Sequence, residues 1–374
     1  MTELKEICKV QCGFAFDSKK FTEDDSFSPL IRIRDVKRGF TQTYYTGEFS
    51  SEYIVHKGDL LVGMDGEFNI ARWNSEDALL NQRVCRIIAN SNVNEEYLRF
   101  YLKRALKLIE SKTSFVTVKH LSAKELNGLK LNLPCMEDQQ RISKQLSILE
   151  LVIRKNKKVL ELFDELVKAR FVEMFGDPIE NQKYWEVVKI RDIVTDVRYG
   201  TSKPAVEGGR YPYLRMNNLT VDGGLDLSDL KYIDIPDNEI EKCVVRKGDI
   251  LFNRTNSIDL IGKTAVFNLL DDMVIAGYII RIRLNDQILP DVFSQYMNLE
   301  TMKKILRGMA KGAVNQANIN AQELQSIKVY IPDMELQRQY VEFKEEIDKS
   351  RSRIQKSLEA SQELFDSLMQ EYFG

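Results

Sequence analysis

The sequence predicts an α+β protein in which two globular mixed domains are joined by two long antiparallel helices, as a pseudo-two-fold internal repeat. The chain has 374 residues, which is more than one ordinary hydrophobic core accommodates. Residues 120–176 align without a gap with residues 318–374. Each copy ends in a long stretch, residues 136–175 or 334–373, that contains neither glycine nor proline. Duplicated domains that each end in a helix give this fold class.

The repeat continues upstream of this alignment with changed spacing. VHKGDLLV at 55–62 resembles VRKGDILF at 245–252, and PLIR at 29–32 resembles PYLR at 212–215. The segments after the KGD strands differ strongly, with GMDGEFNIARW in the first copy and NRTNSIDLIGK in the second. A common scaffold with divergent loops is what a protein that reads two different sites requires.

Residues 1–134 and 187–332 have the alternation of short strands, turns and helices that predicts two mixed domains. The β-rich runs are Leu30–Val36, Tyr53–Val62, Val84–Ile88, Val244–Phe252 and Met273–Arg283. Helical stretches are predicted at Glu95–Ile109 and Pro290–Leu306. We interpret the Lys-Gly-Asp triplets at 57–59 and 247–249 as tight turns that lead into a buried strand.

Segments 135–176 and 333–374 each predict one long helix, over 136–175 and 334–373, and residues 177–186 link the first helix to the second mixed domain. Each helix follows a proline and has acidic residues in its first turn, where the helix dipole favours them. Because the two repeats run in the same direction along the chain, a pseudo-two-fold arrangement sets the helices antiparallel.

Apolar residues recur at heptad spacing in both long helices, which is typical of a coiled coil. The predicted seam consists of Leu146, Leu149, Ile153, Asn156, Leu160, Phe163, Val167, Ile347, Ile354, Leu358, Phe365 and Leu368. Asn156 is the polar member, and the sequence leaves two interpretations open. It either fixes the register of the helix pair or faces solvent.

The composition argues against several classes of protein. With 54 basic and 56 acidic residues the net charge is −2, whereas a solitary DNA-binding protein needs a basic excess for phosphate contacts. The two histidines and the five cysteines without CxxC spacing predict no metal site and reduced thiols. Neither a signal peptide nor an apolar run of bilayer length is evident, so we expect a cytoplasmic protein with no membrane partner.

Catalytic motifs are absent from the sequence, so we predict no catalytic residues on this chain. The GxxxxGK pattern that cradles nucleotide phosphates does not occur. The NPPF-like and DPPY-like tetrapeptides of amino-methyltransferases do not occur either.

These features together resemble type I restriction-modification specificity subunits, over the whole chain. The proline-led helix start with Glu137 and Gln139, repeated as Glu335 and Gln337, is one carrier of the resemblance. The phrase FVEMFGDPIENQKYWEVVKIRDI at 171–193 is the most characteristic. The KGDLL and KGDIL segments and the PLIRIRDV and PYLRMNNL strands are also similar to that family.

The resemblance implies that residues 1–134 and 187–332 are target-recognition domains, each reading one half of a bipartite, asymmetric sequence in double-stranded DNA. It implies that the helices set the spacer between the halves and dock two methyltransferase subunits. The complex would then have adenine-N6 DNA methyltransferase activity, and restriction by an ATP-dependent endonuclease would need additional translocase-nuclease subunits. S-adenosylmethionine, ATP and magnesium would be bound by those partners, and no cofactor by this chain. This chain starts almost directly at LKEI, so the opening strand of the first domain is expected to be completed differently from that of many relatives.

Sequence readout needs side chains that reach base edges, together with separate phosphate contacts. Polar, loop-like segments rich in bidentate hydrogen-bonding groups are the candidates, although each residue is also open to interpretation as solvated loop or turn former. In the first domain they are Asp65, Glu67, Asn69, Arg72, Asn81, Gln82, Arg83, Lys112, Thr117, Lys119 and His120. In the second they are Arg198, Tyr199, Thr201, Ser202, Lys203, Arg254, Thr255, Asn256, Lys311, Asn315, Gln316 and Asn318.

Four further residues that the repeat makes equivalent have two interpretations each. Arg32 and Arg215 are either structural or contact phosphate. Gln139 and Gln337 serve either the start of a long helix or a partner interface.

Two alternative functions fit the sequence besides the one implied by the resemblance. One is a specificity subunit of another multisubunit phage-defence methylation system. The other is a coiled-coil scaffold whose mixed domains bind protein, which the near-neutral charge permits.

Overall fold

The computed structural model describes residues 1–112, 120–313 and 316–374. The chain forms two compact units, Met1–Lys157 with Lys356–Gly374, and Lys158–Gln355, here called unit 1 and unit 2. Each long helix therefore begins in one unit and ends in the other. The domain limits inferred from sequence, 1–134 and 187–332, stay a prediction. The two units do not test them, because each unit also contains parts of both long helices. No helix in the described ranges has the length and apolar character needed to cross a bilayer.

Unit 1 contains two main sheets built from short strands. The antiparallel four-stranded sheet has the order Cys8–Cys12, Val84–Ala89, Leu60–Gly63, Ile70–Arg72. The five-stranded sheet has the order Phe21–Thr22, Tyr44–Tyr45, Ser28–Ile31, Ala78–Leu80, Ile54–Val55. The short helices are Leu4–Ile7, Ile33–Arg38, Glu95–Lys112 and Ala123–Asn127, with 3₁₀ turns at Ser18–Lys20 and Ser51–Tyr53.

Unit 2 repeats this plan, and its described residues also form a small third sheet. Its antiparallel four-stranded sheet has the order Val194–Tyr199, Ile279–Leu284, Ile250–Asn253, Thr264–Val266. The second sheet has the order Lys231–Ile233, Tyr211–Leu214, Met273–Ile275, Val244–Val245, and the third has the order Thr255–Asn256, Gln316–Asn318, Lys311–Ala313. The helices are Asp237–Cys243, Pro290–Asn298, Glu300–Met309 and Ala321–Ser326, with 3₁₀ turns at Ile190–Asp192 and Met216–Asn218.

The internal repeat is evident in the strand pairing. In both units the strand after the KGD turn lies in the antiparallel sheet, and the strand before it pairs in the other sheet. The opening strand Thr2–Glu3 pairs with Lys130–Leu131, just as Glu186–Lys189 pairs with Lys328–Ile331. Within this chain the opening strand of unit 1 therefore has the equivalent partner to that of unit 2 and is shorter, while a difference from relatives stays a prediction.

The KGD triplets are structural turns, as predicted. Gly58 and Gly248 have φ values of +100° and +94°, a region that residues with a Cβ avoid. Asp59 accepts a hydrogen bond from the backbone of His56 and Asp249 accepts one from Arg246, both at 2.9 Å. The same carboxylates bind an arginine of the neighbouring strand, so the turn is fastened to the sheet.

Five predicted elements differ from the structure. Within Leu30–Val36, only Leu30 and Ile31 are extended, because the Asp35 carboxylate caps a helix over Ile33–Arg38 by accepting from the Arg32 backbone at 2.9 Å. The runs Tyr53–Val62, Val244–Phe252 and Met273–Arg283 are each two strands separated by a turn. Helix Pro290–Leu306 breaks at Leu299, whose backbone is extended.

The long helices span Met136–Phe175 and Met334–Phe373, the bounds that the sequence predicts. Gln139 and Gln337 are buried and fix the helix starts, which decides between their two interpretations. The Gln139 amide donates to Pro134 O at 2.9 Å and accepts from Asn94 N at 2.8 Å. Gln337 makes the equivalent bonds to Pro332 O and Leu289 N, both at 2.8 Å.

Within each unit the two long helices run antiparallel. In unit 1, Tyr372 donates to Gln145 at 3.2 Å, and Asn156 donates to Ser357 at 3.1 Å. In unit 2, Arg351 binds Asp164 at 2.6 Å. Asn156 is half-buried and pairs across the helices, which favours the register interpretation over solvent exposure.

The predicted seam residues are all buried or half-buried. In unit 1, Leu146 and Phe365 pack in the same core as Leu60 and Phe100, with the Phe100 and Phe365 rings 6.0 Å apart. In unit 2, Val167 lies in the main core beside Phe171, whose ring is 5.3 Å from that of Tyr340. The helix ends are thus part of the globular cores.

Candidate nucleic-acid interface

Three candidate segments of unit 2 meet in one place. Strand Thr255–Asn256 pairs with Gln316–Asn318, which pairs in turn with Lys311–Ala313. Residues 198–203 adjoin this sheet, because the Tyr199 hydroxyl accepts from the backbone of Ala321 at 2.8 Å. We call residues 198–203, 254–256, 311–313 and 316–318 surface 2. Segments far apart in the sequence are therefore brought together as a possible reading surface.

Arg254 lies at the junction of these segments. Its guanidinium stands 5.0 Å from the centre of the Tyr199 ring, and its Nη1 donates to Gly277 O at 3.3 Å. Its backbone accepts from Ile319 N at 2.9 Å. The side chain is half-buried and braced by an aromatic ring, an arrangement that orients a guanidinium for bidentate contacts.

A cavity of about 510 Å³ opens beside Arg254 and is lined by Thr201, Lys203, Arg215 and Tyr278 among others. Across the described part of the chain, the buried Nε atoms of Arg215 and Arg254 find no hydrogen-bond partner. Two guanidinium groups that line one cavity suit an acceptor group such as phosphate or the N7 and O6 edge of guanine.

The cations of surface 2 are balanced by nearby carboxylates. Lys311 binds Glu323 at 2.6 Å, and Arg198 binds Asp196 at 2.9 Å. The hydrogen bond from Lys311 lowers the pKa of Glu323, so that carboxylate is charged at neutral pH. Local neutralisation of this kind keeps the free surface from being strongly basic, in accord with the net charge of −2.

Unit 1 brings together three of its candidates in a comparable cluster. Asp65 Oδ1 lies 2.5 Å from His120 Nδ1, and Asp65 Oδ2 lies 3.3 Å from Arg83 Nε. Arg83 Nη1 is 3.1 Å from the same His120 nitrogen. We call residues 65–69, 81–83 and 120 surface 1. It combines an acceptor carboxylate with exposed donors.

The two surfaces occupy equivalent places in the repeat. Asp65 and His120 form an isolated β-bridge, and Thr255 and Asn318 pair in the same way in unit 2. The Thr255 hydroxyl donates to Asn318 Oδ1 at 3.0 Å. The same backbone framework therefore presents an ionic pair in unit 1 and a neutral pair in unit 2.

Several candidates are engaged in structure rather than presented at a surface, and we assign them positioning roles. Arg72 binds Glu95 at 2.6 Å, Glu96 at 2.5 Å and Gly58 O at 2.7 Å, which occupies its guanidinium. Asn81 and Thr255 are buried. The Asn256 amide donates to Asn253 Oδ1 and accepts from the backbone N–H of Ser257.

The other candidates remain at or near a surface. The exposed candidates are Glu67, Gln82, Arg83, His120, Arg198, Tyr199, Ser202, Lys311 and Gln316. The half-buried candidates are Asp65, Asn69, Thr201, Lys203, Arg254 and Asn318. Glu67 binds Lys37 at 3.2 Å, and the Asn69 amide donates to Glu67 O at 3.1 Å. Thr117, Lys119 and Asn315, and the side chain of Lys112, lie outside the described residues.

Sequence reasoning missed Phe14 and Tyr278, which are 49% and 51% exposed beside the two surfaces. Phe14 follows Gly13 as Thr201 follows Gly200, and both glycines pack against the backbone. A Cβ on Gly13 would lie 2.1 Å from Asn81 O, and one on Gly200 would lie 2.2 Å from Ile275 O. The glycine shared by CGF at 12–14 and YGT at 199–201 was the feature of the sequence that could have indicated this segment.

Arg215 has a structural contact, since its Nη2 donates to the Asp229 carboxylate at 2.7 Å. Arg32 lines a separate cavity with Arg34 and Tyr44. The structural interpretation therefore applies to one face of Arg215, while the same side chain also lines the cavity of surface 2.

Comparison with known proteins gives one consistent family. The family model for the type I restriction modification DNA specificity domain matches residues 1–162 and 182–362. The chain is 30% identical over 386 residues to the EcoBI type I restriction enzyme specificity subunit of Escherichia coli, covering 95% of this chain and 80% of that protein. It is also 30% identical over 193 residues to the putative MjaX specificity subunit of Methanocaldococcus jannaschii, covering 50% and 45% of the two chains.

A solved structure has a similar fold over the full length. The type I restriction-modification S subunit from M. genitalium superimposes with a TM-score of 0.62 at 13% identity, covering 100% of this chain and 95% of that one. The duplicated units, the repeated loop surfaces and the two family matches agree. The chain belongs to the type I restriction-modification DNA specificity family, as a DNA-recognition subunit without catalytic activity of its own.

Proposed function

We propose that unit 1 and unit 2 each read one half of a bipartite sequence in double-stranded DNA, through surface 1 and surface 2. The observation that carries the proposal is the equivalence of the two surfaces within the repeat. Asp65 with His120 and Thr255 with Asn318 are paired through the same backbone positions but differ in chemistry. Two recognition surfaces that share a backbone framework but carry different side chains suit a DNA target whose two halves differ in sequence.

The chemistry of each surface limits what it can read. The carboxylate of Asp65 accepts hydrogen bonds, as the amino groups of cytosine and adenine require, while Arg83 donates them. On surface 2 the half-buried Arg254 and its neighbour Lys203 are donors, which favours guanine edges or phosphates. The recognised target is therefore expected to be asymmetric.

We propose further that the two long helices pair as an antiparallel coiled coil that fixes the spacer between the half-sites and docks two methyltransferase subunits. Each unit supports this with antiparallel helix contacts and with apolar side chains left exposed on those helices. These side chains are Ile148, Leu151 and Leu364 in unit 1, and Leu162, Leu166 and Val172 in unit 2, each between 38% and 52% exposed. Exposed aliphatic residues on the long helices are typical of a protein interface.

Catalysis is assigned to partner subunits in this proposal. S-adenosylmethionine binds the methyltransferase subunits, and ATP and magnesium bind the additional restriction-translocase subunits. The net charge of −2 fits this division, because the partners then supply much of the phosphate contact. The assembled complex acts on DNA in the cytoplasm, as part of phage defence.

Footprinting with the methyltransferase subunits present tests the proposal against the scaffold alternative. We expect two protected patches of duplex separated by an unprotected gap. Uniform protection, or none, would favour a protein-binding scaffold instead. A specificity subunit of a different phage-defence methylation system would give the same two patches, and is distinguished by the subunits encoded in neighbouring genes.

A further inference from the structure

Cys12 and Cys85 face each other on neighbouring strands of unit 1. They are directly opposed in the antiparallel pairing of Cys8–Cys12 with Val84–Ala89. Gly13 N donates to Val84 O at 3.0 Å, the bond that flanks a pair whose own backbones are not hydrogen-bonded. In such pairs the Cα atoms approach to roughly 4.5 Å, within the span of about 4.4–6.8 Å that a disulfide needs.

The sulfur atoms are already in contact. Cys12 Sγ lies 2.7 Å from Cys85 Sγ, which lies 2.8 Å from the Met64 sulfur on its other side. Cys12 is exposed, whereas Cys85 is fully buried. A dissolved oxidant therefore has access to the first thiol. Once that thiol is oxidised, its sulfur is an electrophile in direct contact with the second thiol.

The two thiols differ in pKa, and this gives them different roles in the reaction. The hydrogen bond with Cys85 lowers the pKa of Cys12 to about 7, so a substantial fraction is thiolate at neutral pH. The same hydrogen bond, together with burial, raises the pKa of Cys85, which keeps its proton. The exposed sulfur is thus the nucleophile.

We propose that Cys12 and Cys85 are a redox modification site that forms a reversible disulfide with a hydroperoxide as oxidant. The Cys12 thiolate attacks the O–O bond, which breaks and releases an alcohol or water, leaving a sulfenic acid on Cys12. The Cys85 sulfur then attacks the Cys12 sulfur. The S–O bond breaks, and the hydroxide leaves as water with the Cys85 proton. Two electrons pass from the thiols to the peroxide, and a dithiol reductant reverses the step.

The disulfide would join both flanks of surface 1. Cys12 precedes Gly13 and Phe14, and Cys85 lies two residues after Arg83. A covalent link there closes a long loop of the chain and restricts the segments that approach surface 1. An effect on DNA reading rests on the proposed function, whereas formation of the disulfide does not.

The test uses the purified full-length chain, with hydrogen peroxide as the probe and peptide mass spectrometry after alkylation. We expect a peptide containing Cys12 joined to one containing Cys85, released by dithiothreitol, and formed more slowly as the pH falls below about 7. Oxidation should also raise the melting temperature by roughly 5 °C or more.

Cys12→Ser is the decisive variant, because an exposed position tolerates the change, and Cys135→Ser is the matched control at another exposed cysteine. The first should abolish both the cross-link and the shift in melting temperature, and the second should leave both intact. Peroxide that converts Cys12 to sulfinic acid while Cys85 stays alkylatable would overturn the proposal. So would a cross-link of Cys12 to Cys135. Neither result would bear on DNA recognition.

Discussion

At the scale of single residues, Arg254 is the side chain of unit 2 that we propose reads DNA. It is half-buried, braced by Tyr199, and lines the cavity of surface 2. Its Nε has no hydrogen-bond partner within the described ranges of the chain. A base or phosphate acceptor in that cavity would form charge-assisted hydrogen bonds with the guanidinium.

Arg254→Ala is predicted to weaken specific DNA binding by the assembled complex roughly 10- to 100-fold, the size of one lost bidentate base contact. It should also relax the sequence preference of a single half-site. Fluorescence anisotropy with cognate and scrambled duplexes at one salt concentration measures both effects. Arg246→Ala is the control, because Arg246 is paired with Glu241 and Asp272 away from surface 2. An equal loss of affinity for both duplexes would show that Arg254 contacts phosphate rather than a base.

Lys303 is a buried ionisable group of unit 2 whose charged form is disfavoured by its surroundings. It is 7% exposed, and its ammonium donates to the Gly262 carbonyl and, at 2.8 Å, to Asn298. Burial, with the nearby charge of Arg307, lowers the pKa of Lys303 to about 7 from its ordinary 10.5. Between these two pH values the unfolded chain binds one more proton than the folded chain, so the stability of unit 2 rises with pH.

Lys303→Met is predicted to remove this contribution to the pH dependence of stability. Urea unfolding from about pH 6.5 to about pH 9.5 should show stability rising more steeply in the parent chain than in the variant. Lys304→Met, at the exposed neighbouring position, should retain the parent slope. Identical slopes in the parent and in Lys303→Met would show that the buried amine keeps its proton throughout.

At the scale of elements, the long helices were predictable and the breaks in shorter elements were not. Heptad spacing, a preceding proline and the lack of glycine predict Met136–Phe175 and Met334–Phe373, because these are properties of the helix itself. The break at Leu299 has no local signal, since Pro290–Met309 contains no helix-breaking residue there. Its two helices pack separately in the core, and tertiary contacts override propensity.

Leu146→Ala is predicted to destabilise the chain by about 2–5 kcal/mol, because Leu146 is fully buried between the first long helix and the core of unit 1. Ile148→Ala, two residues along the same helix and 52% exposed, should change stability by less than about 1 kcal/mol. Urea unfolding of the full chain compares them directly. A large loss in Ile148→Ala would mean that this residue is covered in the isolated chain.

At the scale of the whole molecule, duplication was visible in the sequence, whereas the membership of each surface was not. The KGD triplets marked equivalent turns, which Asp59 and Asp249 fasten in the same way. Polar composition alone did not separate Arg72, which is held by Glu95 and Glu96, from Arg83, which is exposed. That distinction depends on which acidic residues a distant helix brings nearby.

The most direct test of two independent readers is to map N6-methyladenine in DNA modified by the complex assembled from this chain. The map should give a motif of two short defined parts separated by a fixed unread gap. Replacing residues 1–134 with the first recognition domain of another family member should change one part and leave the other part and the gap unaltered. A single contiguous motif, or a change in both parts together, would contradict the account.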